Sequence, residues 1–99
     1  MIKIVKAKQD LKKAKCSLKR FYYTTESSSP ARGYNRTIRV FALNRIYGCP
    51  VEVGIYTANT ANYIGDLSCA VHIISESLGY KLTKDGYQLK RKDVFVWEI

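Results

Sequence analysis

His72 is the one histidine of the chain, and Ser68 and Glu76 stand four residues to either side of it. A hydroxyl, an imidazole and a carboxylate are the parts of a nucleophilic relay. On a helix this spacing puts all three side by side in one row. That leaves no separate donors for an oxyanion, and working triads draw their members from different elements. The set therefore reads as the solvated polar side of a helix. The carboxylates Asp10, Glu26, Glu52, Asp66, Glu76, Asp85, Asp93 and Glu98 are scattered, with no DxD or ExxH cluster to hold a metal. Gly33, Gly48, Gly54 and Gly65 form neither GxGxxG nor a phosphate loop. Cys16, Cys49 and Cys69 contain no CxxC pair, which argues against zinc. The chain is accordingly expected to be no enzyme, with no cofactor and no metal. The enzymatic runner-up is a metal-dependent nuclease in which two of the scattered carboxylates meet in space.

The remaining chemistry is charge. The net charge is +9 over 99 residues. Lys3, Lys6, Lys8, Lys12, Lys13, Lys15, Lys19 and Arg20 crowd the first twenty residues against a single carboxylate, Asp10. Residues 46–80 hold no Lys or Arg, only Glu52, Asp66 and Glu76. So lopsided a distribution sets up a directional field that attracts polyanions. Arg32, Arg36, Arg39 and Arg45 follow, with Tyr34 and Tyr47 interleaved. Arginine adds a planar fork suited to phosphate, and tyrosine can stack on unpaired bases. Arg36 and Arg39, three apart along a strand, are expected on opposite faces. The candidate binding residues are Lys12, Lys13, Lys15, Lys19, Arg20, Arg32, Tyr34, Arg36, Arg39 and Arg45. The partner they imply is nucleic acid or a nucleoprotein.

The elements that must position these residues are those of one domain, residues 1–99, with a basic segment over 1–20. Ile2, Ile4 and Ala7 suit an edge strand. Over 7–15 two periods compete. Ala7, Leu11, Ala14 and Leu18 recur at helical spacing, while Ala14, Cys16 and Leu18 alternate as in a strand. A short helical turn near 9–13 followed by a strand satisfies both. A loop is expected over 26–35, where Ser27, Ser28, Ser29, Pro30 and Gly33 are turn formers. Ile38, Val40 and Ala42 then face one side of a strand, and Gly48-Cys49-Pro50 marks a hairpin connection. In the next strand Val51, Val53 and Ile55 are expected to share the buried face. Tyr63, Leu67, Ala70, Val71, Ile74 and Leu78 predict a helix over 62–78, capped by Thr60 or Asn62 and ended by Gly79. Lys84-Asp85-Gly86 predicts a tight turn. A last strand over 94–99 has Val94 and Val96 on one face, and Phe95, Trp97 and Ile99 on the other. The sum is an α+β fold: a mostly antiparallel sheet of four to five strands with one principal helix packed on a face.

An odd number of cysteines without a signal peptide suits the reducing cytoplasm, with free, buried thiols. No apolar run approaches the roughly 20 residues that span a bilayer, so no membrane contact is expected.

Residues 29–41, Ser-Pro-Ala-Arg-Gly-Tyr-Asn-Arg-Thr-Ile-Arg-Val-Phe, resemble a segment of small phage-encoded proteins of unassigned function. In those proteins an arginine- and glycine-containing loop leads into an apolar strand. Leu78-Gly79-Tyr80-Lys81 and Lys84-Asp85-Gly86 look like the helix end and turn of the same group. The likeness covers about a third of the chain. It departs at Tyr34, where the group has methionine, in the added strand at 51–56, and in the missing glycine-rich closing motif. It implies a phage or mobile-element origin and the cytoplasm of a bacterial host. It also raises the expectation of an inhibitor of a host defence complex, anti-CRISPR-like, acting by protein–protein contact. The uncharged-to-acidic stretch 46–80 would then offer a second surface for that contact or for homo-oligomer formation.

Overall fold

The computed structural model describes residues 2–28, 35–59, 61–86 and 88–99. Five strands, β1 (Ile2–Ile4), β2 (Cys16–Ser28), β3 (Asn35–Asn44), β4 (Pro50–Asn59) and β5 (Phe95–Glu98), form one sheet in the order β1-β4-β3-β2-β5. β1–β4, β4–β3 and β3–β2 pair antiparallel. β5 joins β2 in parallel, the one departure from an antiparallel sheet. Two helices complete the α+β fold, α1 (Lys8–Lys13) and α2 (Asp66–Leu78).

The competing periods over 7–15 resolve in sequence. α1 buries Leu11 completely, and its Asp10 carboxylate accepts the Ala7 N–H at 3.0 Å. Lys15 ends it with φ +56°, a conformation costly for a residue with a Cβ, and β2 starts at Cys16. Phe21 and Tyr23 of β2 and Ile38, Val40 and Ala42 of β3 bury their side chains in one core with Leu11, Cys69, Ala70, Ile73, Ile74 and Leu78. Both helices therefore serve a single face of the sheet.

Three expectations need correction. The loop expected over 26–35 is narrower: Glu26, Ser27 and Ser28 stay in β2, paired with Thr37, Arg36 and Asn35. A continuing ladder overrides the turn preference of serine. Residues 29–34, and with them Arg32 and Tyr34, lie outside the described residues.

In β4, Val51, Val53 and Ile55 do not share a face. The β3 partners pass from Gly54 at Val40 to Glu52 at Phe41, so Val53 is an extra, bulged residue. Beyond it the parity reverses. Gly54, Tyr56 and Ala58 lie with Val40, Ile38 and Arg36 on the helix side, and Ile55 lies with Arg39 on the other.

α2 begins at Asp66, after Gly65 at φ +105°, and not at residue 62. Asn62 is used in a preceding turn instead. Its side-chain oxygen accepts the Asn59 N–H at 2.8 Å, while the Asn59 side chain accepts the Ala61 and Asn62 N–H groups. The alternative cap, Thr60, is outside the described residues. Tyr63 and Leu67 consequently sit off the buried stripe, with Leu67 48% exposed, and Cys69 and Ile73 take their place. Gly79, at φ +75°, ends the helix as expected, its N–H bonded to the Ser75 carbonyl at 2.8 Å.

The connection between β3 and β4 is built by Asn44, whose side chain accepts the N–H groups of Ile46 and Tyr47. The turn around residues 84–86 closes with Leu82 bridged to Leu89. No helix among the described residues is long and apolar enough to cross a membrane.

Candidate nucleic-acid interface

The fold brings the start of β2, the end of α1 and the β3–β4 turn to one corner. Two backbone-directed bonds latch them together. Asn44 donates from its side-chain amide to the Ala14 carbonyl at 2.6 Å, and the Arg45 N–H donates to the Lys15 carbonyl at 2.9 Å. Around this latch open two adjoining shallow clefts. One, of about 500 Å³, is lined by Lys12, Cys16, Ser17, Leu18, Lys19 and Arg45. The other, of about 290 Å³, is lined by Ser17, Arg20, Tyr22, Leu43, Asn44, Arg45 and Gly48. They share Ser17 and Arg45, and no carboxylate among the described residues lines either. Four of the sequence-derived candidates, Lys12, Lys19, Arg20 and Arg45, thus meet at one site, with Lys13 and Lys15 exposed beside it.

Lys19 also approaches Asp93 at 3.7 Å, but both side chains are well exposed, and such pairs contribute little, about 0–1 kcal/mol. Asp93 itself is held by a two-bond contact from Arg91, whose guanidinium keeps its carboxyl below the usual range. The Cys16 thiol on the cleft floor is pushed up by burial, only partly countered by Arg45. It is a packing group and a poor nucleophile.

Arg36 and Arg39 are engaged elsewhere. Arg36 points to the helix side, where Nε and Nη2 donate to the Asp66 carboxylate at 2.9 and 2.6 Å, and Nη1 donates to Ser27. The Tyr63 hydroxyl donates to the same carboxylate. The Arg36 bonds above all hold the Asp66 carboxyl below its ordinary value. Arg36 therefore fastens the start of α2 to β3 and does not join the basic corner. Arg39 lies on the opposite face, as the three-residue spacing requires, and pairs with Glu52 at 2.9 Å.

That opposite face carries no helix among the described residues. Pairing of β2 with β5 sets Arg20 beside Phe95 and Tyr22 beside Trp97. The rings make a continuous strip: Phe95 and Trp97 have centroids 5.7 Å apart and planes 12° apart, and Trp97 and Tyr22 are 5.3 Å and 28° apart. Phe95 is 51% and Trp97 42% exposed. Tyr22, Phe95 and Trp97 were not candidates from sequence. A signal was present: β5 has apolar residues on both faces, and one principal helix can cover only one of them.

Among the thiols, Cys16 and Cys69 are buried, but Cys49 is exposed, because the β3–β4 turn carries it clear of the sheet. His72 is half-buried on α2, and no three His, Cys, Asp or Glu side chains among the described residues converge as a metal site.

No family model, curated protein or solved structure matches this chain.

Proposed function

We propose that this protein is a non-catalytic nucleic-acid-binding domain. Its contact surface is the basic corner formed by Lys12, Lys19, Arg20 and Arg45, extended over the uncovered face of the sheet. The observation that carries the reading is the pair of clefts meeting at Arg45, where four cations gather with no lining carboxylate among the described residues. Phosphates suit such a site: lysines attract them as point charges, and arginines grip them through paired donors. The engaged arginines, Arg36 and Arg39, contribute structure more than affinity.

A salt titration of binding to a dye-labelled oligonucleotide tests this. Each phosphate contact releases condensed counterions, so log affinity falls linearly with log salt, by about 0.7–0.9 per contact. Replacing Lys12, Lys19 and Arg45 together by alanine should weaken binding and flatten the slope by about 2–3. No binding of DNA or RNA at low salt rejects the proposal.

A second reading keeps the same surface but gives it to a protein of a host defence complex. The exposed Trp97 and Arg20, with the half-buried Tyr22 between them, favour it, since these residue types anchor protein interfaces. Partners captured from a bacterial lysate and retained after nuclease treatment would support it. Partners lost with nuclease would leave nucleic-acid tethering as the explanation.

A further inference from the structure

We infer that the ligand is a single strand, whose bases stack on Tyr22, Phe95 and Trp97 while its phosphates follow Arg20, Arg45 and Lys19. The inference rests on the nucleic-acid reading above and names the form of nucleic acid. Aromatic rings on an uncovered sheet face offer nothing to a duplex, whose base faces are hidden in its own stack. They offer much to unpaired bases, because every base has a π-face. The strip and the clefts also join at one residue. Arg20 is in register with Phe95 on β5 and lines the cleft that also contains Tyr22 and Arg45. Base platform and phosphate track are therefore adjacent, as a single strand lying across β2 and β5 requires.

Charge selects among occupants of the same apolar strip. A second copy would bring its own Arg20 and Arg45 against these, on chains that each carry +9. A polyanion neutralises them. Of the acidic groups on that face, Glu52 is already tied to Arg39.

Trp97 is the only tryptophan, so its fluorescence reports this site alone. The unmodified protein is titrated at low salt with three probes of equal charge: a thymidine oligomer, an abasic oligomer and a hairpin duplex. Stacking is expected to quench Trp97 with the thymidine oligomer alone, and to make that oligomer roughly 5- to 150-fold tighter than the abasic one per stacked base. Phe95→Ala with Trp97→Ala should bring the thymidine oligomer most of the way toward the affinity of the abasic one, measured by anisotropy. Equal affinity for all three probes without quenching overturns the single-strand inference and leaves charge-driven nucleic-acid binding intact. No binding of any probe overturns the underlying reading as well. Trp97 emission that changes with protein concentration alone would assign the strip to self-association and overturn the inference. The wild-type comparison of the three probes decides the matter even if the double variant folds poorly.

Discussion

Gly54→Ala probes the seat of α2, on which the division into a covered and an uncovered face depends. Gly54 lies on the helix side of β4, opposite Val40 and beside β1. A Cβ there would stand 2.8 Å from Ile73 Cγ2 and 2.9 Å from the Lys3 carbonyl oxygen. The first contact is a methyl of a fully buried side chain. The second is backbone held in the β1–β4 ladder, which cannot swing aside. Overpacking of this kind costs about 1–3 kcal/mol. The smaller entropy of the unfolded alanine chain returns about 0.4–1 kcal/mol. The net expectation is destabilisation by about 1–2 kcal/mol, a fall in melting temperature of roughly 5–15 °C for a chain of this size. Thermal melts followed by far-UV circular dichroism measure it. In an Ile73→Ala background the cost of Gly54→Ala should shrink, and the remainder is the contact with Lys3. A Gly54→Ala protein as stable as the wild type, or more so, would refute the close approach of α2 and β1 to β4.

Asp66→Asn should destabilise the fold by about 1–3 kcal/mol at neutral pH, because the carboxylate takes two bonds from Arg36 and one from Tyr63. The folded carboxyl lies below its ordinary value of 3.8, so this stabilisation is complete above about pH 5 and is lost as pH falls through 3.8 toward the lowered value. Urea melts of the two proteins should converge in acid, and a gap that widens there would contradict the ion pair. Cys49 alone should react with a thiol reagent under native conditions and all three cysteines after denaturation, since burial both shields Cys16 and Cys69 and raises their thiols. Rapid native labelling of more than one thiol per chain would count against the packing of the core.

The sheet was legible where alternation was simple. Ile38, Val40 and Ala42 turn inward as read, Val94 and Val96 pack against the core, and Phe95 and Trp97 lie exposed on the other face. It was not legible at Val53, because a bulge inserts one residue and nothing in local composition announces it. The start of α2 was misread because Asn62 is equally suited to a helix cap and to the turn it actually makes with Asn59. For the candidate site, charge pointed to Lys12, Lys19, Arg20 and Arg45, but the likeness of one arginine to another hid their separate roles. Only tertiary pairing distinguishes Arg36, committed to Asp66, from Arg45, which opens onto both clefts. The aromatic strip escaped for a related reason: Tyr22 and Trp97 are 75 positions apart, and the parallel pairing of β5 with β2 alone makes them neighbours.

We propose the uncovered sheet face and its basic corner as the binding surface. Amide NMR of the labelled protein, titrated with a thymidine oligomer at low salt, tests it residue by residue. Shifts are expected at Lys12, Ser17, Lys19, Arg20, Tyr22, Arg45 and the Trp97 indole, with α2 unmoved at Ser68, His72 and Glu76. Shifts gathered on α2, or none at all at saturating oligomer, would contradict the proposal.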